Sequence, residues 1–344
     1  MALELRDLEA IGRSLSAYLS AAWDRPVAAV DLEETSVGAR RGNILFAADD
    51  PEHPGGATRH DLVVTIYPPA GIVTSGIEAE TGSLALAEAA GAPVAHVYEV
   101  GLDPSWFGEP FFISQRIFGE SLPRGILRLV AADETLGETM ARQLGRGFAA
   151  IHSVPADRCP EGTRRPLEVA PSAYSLKLLT EQIDELLQPA PAFELGLRWL
   201  SRNQPDPPAT QSLVHSDVRT GNIMVGPDGL RAVLDWEGCH TGDPHEDLGW
   251  VAVRTWRFGN DALEIGGFGP LAPLAEAYDD AGGGFDPHSY HWWKVFSTLR
   301  WGVGLCRQSV QHLNGTYRNI AMATSGRRAV ELEYDLLRLL RPVL

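Results

Sequence analysis

The chain has 344 residues, 44% hydrophobic and 22% charged, enough to bury a core in one large domain or two smaller ones and too apolar for global disorder. Its 29 Lys and Arg against 45 Asp and Glu leave a formal charge of −16, a field that repels nucleic acid and anionic membranes, and no apolar run approaches the roughly 20 residues of a spanning helix. Three scattered cysteines (Cys159, Cys239, Cys306) and an opening stretch without a basic or apolar leader point to a cytoplasmic setting without disulfides.

Apolar spacing at Leu5, Leu8, Ile11, Leu15 and Leu19 predicts a first helix over 3–22. Strands are expected at 27–34 and 43–47, separated by a glycine-containing turn at 36–42. Residues 49–59, rich in Pro, Gly and Asp, read as a hairpin loop, and 61–67 as a strand closed by Pro68 and Pro69. A helix over 77–90 ends at Gly91, and two more strands follow at 94–100 and 110–117. Beyond Gly119 the pattern turns helical: 132–152, 172–187 and 193–202. A strand–turn pattern occupies 213–236, and the rest is helical apart from a glycine-rich loop at 266–284. The expected fold class is therefore α+β and bilobal, with a small β-rich N-terminal lobe over 1–116 and a larger, mainly helical C-terminal lobe over 117–344.

The chemistry concentrates in two short segments, Leu213-Val-His215-Ser-Asp217-Val-Arg219-Thr-Gly-Asn222-Ile-Met-Val225 and Ala232-Val-Leu-Asp235-Trp-Glu237. Gly226-Pro-Asp-Gly229 between them suits a tight turn, so the two strands pair as a hairpin. That pairing brings Asn222, before the first strand, beside Asp235, after the second, with Asp217 on the entering loop. Asn and Asp oxygens suit Mg²⁺, and a nearby carboxylate can accept a hydroxyl proton. The spacing H-x-D-x-x-x-x-N followed by D matches the catalytic loop and metal Asp of kinases. Gly242-Asp243-Pro244-x-x-Asp247-Leu248 completes the pattern, with Asp243 and Asp247 expected to cap and anchor the following helix.

These motifs resemble the aminoglycoside phosphotransferase-like family of small-molecule kinases, which shares the protein-kinase-like fold. Ser216 stands where that family usually has Gly. Arg219 and Asp235-Trp-Glu237 bring the chain nearest to the phosphotransferase domains associated with acyl-CoA dehydrogenases. The resemblance implies Asp217 as catalytic Asp, Arg219 near the transferred phosphate, and Asn222 and Asp235 as metal ligands. It also implies a phosphate-covering loop over 36–43 (Ser36, Gly38, Arg40, Arg41, Gly42, Asn43), an adenine-facing hinge at Gln115 and Ile117, and Glu80 as the helix carboxylate that pairs with a strand lysine. His215 is expected to brace the loop, and the aromatic–basic stretch Trp292, Trp293, Phe296, Arg300 and Trp301 to pack in the core.

The strand lysine is absent. The chain has two lysines, Lys177 and Lys294, and neither is in the N-terminal lobe; the alignment places Thr65 at the position. Arg40, Arg41 and Arg59 are the nearby cations. The expectation is an ATP- and Mg²⁺-dependent phosphotransferase acting on a small-molecule hydroxyl, with the acceptor open between an aminoglycoside and a hydroxyacyl thioester and no oligomeric state implied. The alternative is a catalytically silent pseudokinase that binds without turnover.

Overall fold

The computed structural model describes residues 7–34, 42–67, 76–186, 189–316 and 318–341. The N-terminal lobe is built on one antiparallel sheet of five strands: β1 (Ala28–Glu34), β2 (Gly42–Asp50), β3 (Thr58–Ile66), β4 (Val97–Gly101) and β5 (Phe111–Gln115), in the order β1-β2-β3-β5-β4. Alternation sorts its side chains. Ile44, Phe46, Leu62, Val64, Ile66, Phe111 and Ile113 bury one face beneath Ile11, Leu15 and Leu19 of helix α1 (Leu8–Trp23). Asp7 caps α1 by accepting the Ala10 amide at 2.9 Å. Thr65, Tyr67 and Phe112 face the other way, toward helix α2 (Ile77–Ala89), whose Ile77 packs on Tyr67 and Phe112.

Between β2 and β3 the expected 49–59 loop is shorter, because Asp49, Asp50, Thr58 and Arg59 already pair across the ladder. The chain leaves β5 and crosses to the second lobe, where Glu120 exchanges two backbone hydrogen bonds with Val225, at 2.8 and 3.0 Å.

The C-terminal lobe comprises helices α3 (Pro123–Ala132), α4 (Leu136–His152), α5 (Pro171–Asp184), α6 (Pro191–Arg202), α7 (His245–Val251), α8 (Leu271–Asp280), α9 (Pro287–Leu313), α10 (Ile320–Ser325) and α11 (Ala329–Leu340). Two small ribbons complete it: β6 (Ser212–Val214) with β9 (His240–Gly242), and β7 (Ile223–Gly226) with β8 (Gly229–Val233). Helix α3 is missing from the sequence reading, which begins a helix only at 132. Pro123 starts it, and Asp133, whose side chain accepts the Thr135 amide at 2.9 Å, separates it from α4. Helix α8 lies inside the stretch read as a glycine-rich loop, because those glycines flank 271–280 and none interrupts it.

One core surrounds α4 (Met140, Leu144, Phe148, Ile151) and a second surrounds α9, where Trp292, Trp293, Phe296 and Leu299 are buried as expected. Helices α7 and α9 cross closely at Gly249: a Cβ there would sit 2.5 Å from the Trp293 carbonyl carbon. No helix among the described residues is long and apolar enough to cross a membrane, and all three cysteines are free.

Candidate active site

The loop between β6 and β7 carries Asp217, and buried groups beneath it fix its shape. Asp247, on the first turn of α7, accepts the His215 amide at 2.8 Å and the Ser216 amide at 2.6 Å. It also contacts Nε2 of His152 at 3.1 Å. Asp247 thus holds the loop rather than capping its own helix as expected; Asp243 serves that end, accepting the His245 amide at 2.9 Å. Burial alone would raise the Asp247 pKa, but the hydrogen bond and charge of His152 and the His215 amide hold it below the ordinary carboxylate value.

Ser216 has φ of +67°, the left-handed region, which accounts for the usual glycine at this place in the resembling family. The serine offsets its strain through the Asp247 contact and through Oγ, which donates to the Gly238 carbonyl at 3.0 Å. A second clamp comes from α9: Arg300 donates to the Ser216 carbonyl at 2.9 Å and to Glu246 at 3.0 Å, with its guanidinium stacked 4.3 Å from the Trp250 ring centre. Glu246 is buried; desolvation would raise its pKa, but His240, Arg165 and Arg300 hold it far below the ordinary range.

His215 is fully buried, and burial pushes its pKa below the ordinary value. Its Nδ1 accepts the Asp217 amide at 3.2 Å, so Nε2 carries the proton and donates to the Leu234 carbonyl at 3.1 Å. The ring therefore ties the loop to the end of the hairpin, the bracing expected of it.

Asp217 itself is part-exposed. Its Oδ2 accepts Nδ2 of Asn222 at 2.7 Å, and its Oδ1 accepts Nε1 of Trp250 at 3.0 Å. The Arg219 Nε lies 3.5 Å from Oδ1, and its guanidinium sits 5.2 Å from the Trp256 ring centre. Asn222 gives a second N–H to the Asp217 carbonyl at 3.0 Å, so its amide is oriented with the oxygen as the remaining ligand atom.

Across the ribbon, Ile223 pairs with Val233, and the Leu234 amide donates to the Asn222 carbonyl at 2.9 Å. Asp235 follows directly, exposed and left-handed at φ +66°, where the chain turns into a short helical turn at Trp236–Gly238. The backbone pairing thus brings Asn222 and Asp235 to one end of the ribbon, with Asp217 beside Asn222, and Asn222 and Asp235 carry oxygen donors of the kind that suits magnesium.

In the N-terminal lobe, Glu80 is buried on α2 and accepts a hydrogen bond from the Tyr67 hydroxyl. Tyr67, two residues beyond Thr65 and just past the end of β3, thus supplies one hydrogen-bond donor to Glu80 beside the position that the alignment gave to the strand lysine. The sequence reading missed it because it sought a cation; the signal was a polar-tipped side chain in register with Glu80. Helix α2 also meets the C-terminal lobe directly: a Cβ on Gly82 would lie 2.8 Å from Pro160, and one on Gly162 would lie 3.1 Å from Ala79.

Arg59 is not near the cleft. It lies at the far end of β3, paired with Asp31 and with Asp49 at 3.4 Å. Ser36, Gly38, Arg40 and Arg41 fall outside the described residues. Gly42 and Asn43 open β2, with Asn43 opposite Thr65. Gln115 ends β5 with its amide on the His96 carbonyl at 2.8 Å, and Ile117 lies in the segment joining the lobes. Trp250, Arg300 and the anchoring role of Asp247 were not legible in the spacing.

Known proteins share this fold. A Ralstonia eutropha structure provisionally named an aminoglycoside phosphotransferase superposes with a TM-score of 0.70 at 21% identity, covering 96% of this chain and 98% of that one. Macrolide 2'-phosphotransferase MphH of Brachybacterium faecium gives 0.58 at 19%, covering 91% and 97%. Aminoglycoside phosphotransferase APH(4)-Ia, in complex with AMP-PNP and hygromycin B, gives 0.59 at 14%, covering 95% and 98%.

Among curated sequences, acyl-CoA dehydrogenase family member 11 of Gallus gallus is 28% identical over 169 residues, 47% of this chain and 21% of that protein. The human counterpart is 41% identical over 63 residues, 18% of this chain and 8% of that one. The matched stretches thus span about a fifth or less of those relatives' length. The profile of the phosphotransferase enzyme family covers residues 52–293, from the β2–β3 hairpin through the catalytic-type loop into α9, and by that match the chain belongs to the phosphotransferase enzyme family.

Proposed function

We propose that this protein is a cytoplasmic, ATP- and Mg²⁺-dependent phosphotransferase acting on a hydroxyl group of a small molecule. Residues 1–116 would supply most of the nucleotide site, and residues 117–344 the catalytic and acceptor side. The observation that carries the reading is the Asp217 carboxylate, part-exposed yet fixed at both oxygens by Asn222 and Trp250.

Asn222 and Asp235 would hold the magnesium ion, which supplies charge neutralisation at the phosphates. Asp217 would orient the acceptor hydroxyl and take its proton as the oxygen bonds to the γ-phosphorus and the bond to the ADP oxygen breaks. Arg219 can place a guanidinium beside the migrating phosphoryl group, since it already lies next to Asp217. His152, Asp247, Arg300 and Glu246 contribute rigidity, which this reaction needs because positioning and electrostatics carry most of it. Gly42, Asn43, Gln115, Ile117 and Glu80 belong on the nucleotide side of the same reading, as do Ser36, Gly38, Arg40 and Arg41.

Both acceptor classes have support among relatives. A structural neighbour was crystallised with hygromycin B, and the curated relatives carry acyl-CoA dehydrogenase names, which favours a hydroxyacyl acceptor. The replacement of the strand lysine keeps the silent pseudokinase as the second reading. The test is transfer of labelled phosphate from ATP with Mg²⁺ to a panel of aminoglycosides and hydroxyacyl thioesters, beside Asp217→Ala. Transfer lost in that variant supports the kinase reading. Nucleotide binding without transfer to any acceptor supports the pseudokinase.

A further inference from the structure

The outer end of the N-terminal sheet holds a group of side chains that phosphoryl transfer does not use. Asp50, the last residue of β2, pairs with Thr58, and His60 of β3 pairs with Ala48. The two therefore lie diagonally on one face of the ladder. His53, in the loop between them, folds back over the same face, its ring 5.6 Å from that of His60. One ligand-type atom from each residue lies within 4.8 Å of the other two. His60 and Thr65 are five residues apart on β3, about 17 Å along the strand, so the group is remote from the Tyr67 end of the cleft.

Two features set this group apart from ordinary packing. Nε2 of His60 is sealed from solvent and has no hydrogen-bond partner. It lies 3.7 Å from Asp50 Oδ2, beyond hydrogen-bonding range. A buried imidazole nitrogen that no protein group satisfies is open to a ligand, an ion or a water. The Asp50 carboxylate is also fully buried and is held by Arg25, with Nε 3.0 Å from both oxygens and Nη2 2.9 Å from Oδ2. That is how an outer-shell partner orients a ligating carboxylate.

We propose that Asp50, His53 and His60 form a site for a divalent transition-metal ion that pins the β2–β3 hairpin. Two imidazoles and one carboxylate, without sulfur, suit Zn²⁺ or Co²⁺ with water in the open position, and not Mg²⁺ or Ca²⁺. The dimensions allow it with a small adjustment. For three atoms no more than 4.8 Å apart, some point lies within about 2.8 Å of all of them. Zinc–nitrogen and zinc–oxygen bonds are about 2.0–2.2 Å, so each ligand closes by roughly 0.7 Å.

His53 can move, because it sits in a loop beside Gly55 and Gly56, the latter at φ +100°. Its Nδ1 accepts the Gly55 amide at 3.1 Å in an exposed setting, so turning the ring toward the ion costs a contact that water can replace. The Arg25 guanidinium opposes the ion's charge, which limits affinity.

The experiment is calorimetric titration of the chelator-treated protein with zinc sulfate, with the visible spectrum of the cobalt chloride complex and the melting temperature as further readouts. One ion per chain is expected, with tetrahedral-type cobalt absorption and a raised melting temperature. His60→Ala and His53→Ala should each weaken binding at least tenfold, whereas Asp235→Ala, at the magnesium-type site, should leave it unchanged. If His60→Ala does not fold, His53→Ala, which alters an outer loop, carries the test. Absence of zinc binding, or binding that survives His53→Ala but is lost in Asp235→Ala, overturns the proposal.

Discussion

The Tyr67–Glu80 pair gives the sharpest test of how this site manages without a strand lysine. Tyr67→Phe removes one hydroxyl and leaves the ring, which packs 6.4 Å from Phe112 and against Ile77, in place. The lost bond is to a carboxylate, and Glu80 is 2% exposed, so water does not easily replace the donor. A hydrogen bond to a charged group contributes about 1.5–3 kcal/mol, and the buried setting favours the upper part of that range. The loss should lower the melting temperature by several degrees. It should also loosen α2, which spans the lobes through Gly82 and Ala79, and so weaken nucleotide binding.

Tyr67→Lys replaces a neutral donor with an ammonium that can pair with Glu80 and face the phosphates. A gain of about 1.4 kcal/mol would tighten ATP binding roughly tenfold. The assay is calorimetry of ATP at fixed Mg²⁺, with melting temperatures for all three proteins. Tyr67→Phe as stable as the natural protein, or Tyr67→Lys binding ATP more weakly with an unchanged melting temperature, would refute the assignment of Tyr67 to the lysine's role.

Asp217→Asn should reduce turnover by about 10²–10⁴-fold, the usual contribution of a positioned base, while ATP affinity changes only a few-fold. It should also cost some stability, because both oxygens accept N–H groups and an amide would turn a donor toward Asn222 or Trp250. Asp235→Asn should instead weaken Mg²⁺-dependent nucleotide binding, measured by titration with and without the metal. Asp247, with its depressed folded pKa, contributes stability that is present above the unfolded value near 4 and is lost as pH falls through the lower folded value. Asp247→Asn should therefore destabilise strongly at pH 7, with the gap in melting temperature narrowing below about pH 4. Burial pushes the Cys239 thiol up to about 12 and Cys159 up to about 11, so a disulfide reagent at pH 8 should reach both only on unfolding.

Local patterning made much of the molecule readable. The α1 spacing, the alternation along β3 and the Gly-Pro-Asp-Gly turn each report short-range physics, and each element formed close to where its pattern placed it, although α1 starts at Leu8 behind its Asp7 cap and not at residue 3. The 36–43 loop lies largely outside the described residues, so its phosphate-covering role stays a proposal. Errors arose where punctuation misled. Helix α3 was passed over although Pro123 opens it and Asp133 closes it, and glycines flanking α8 disguised ten helical residues as a loop.

The sequence alone determined the hairpin and the order His215, Asp217, Asn222, Asp235, because all four lie within 21 residues and one turn controls their approach. Tertiary structure decided everything that depends on distant partners. Asp247 reaches back to Ser216 of the loop from 31 residues away, Arg300 to the same residue from 84, and Trp250 to Asp217 from 33. Spacing cannot announce such contacts, because they follow from how α7 and α9 cross at Gly249. The Tyr67 bond to Glu80 was hidden for a related reason: it depends on how α2 packs on the sheet, and a shift of two residues on one face leaves the hydrophobic pattern unchanged.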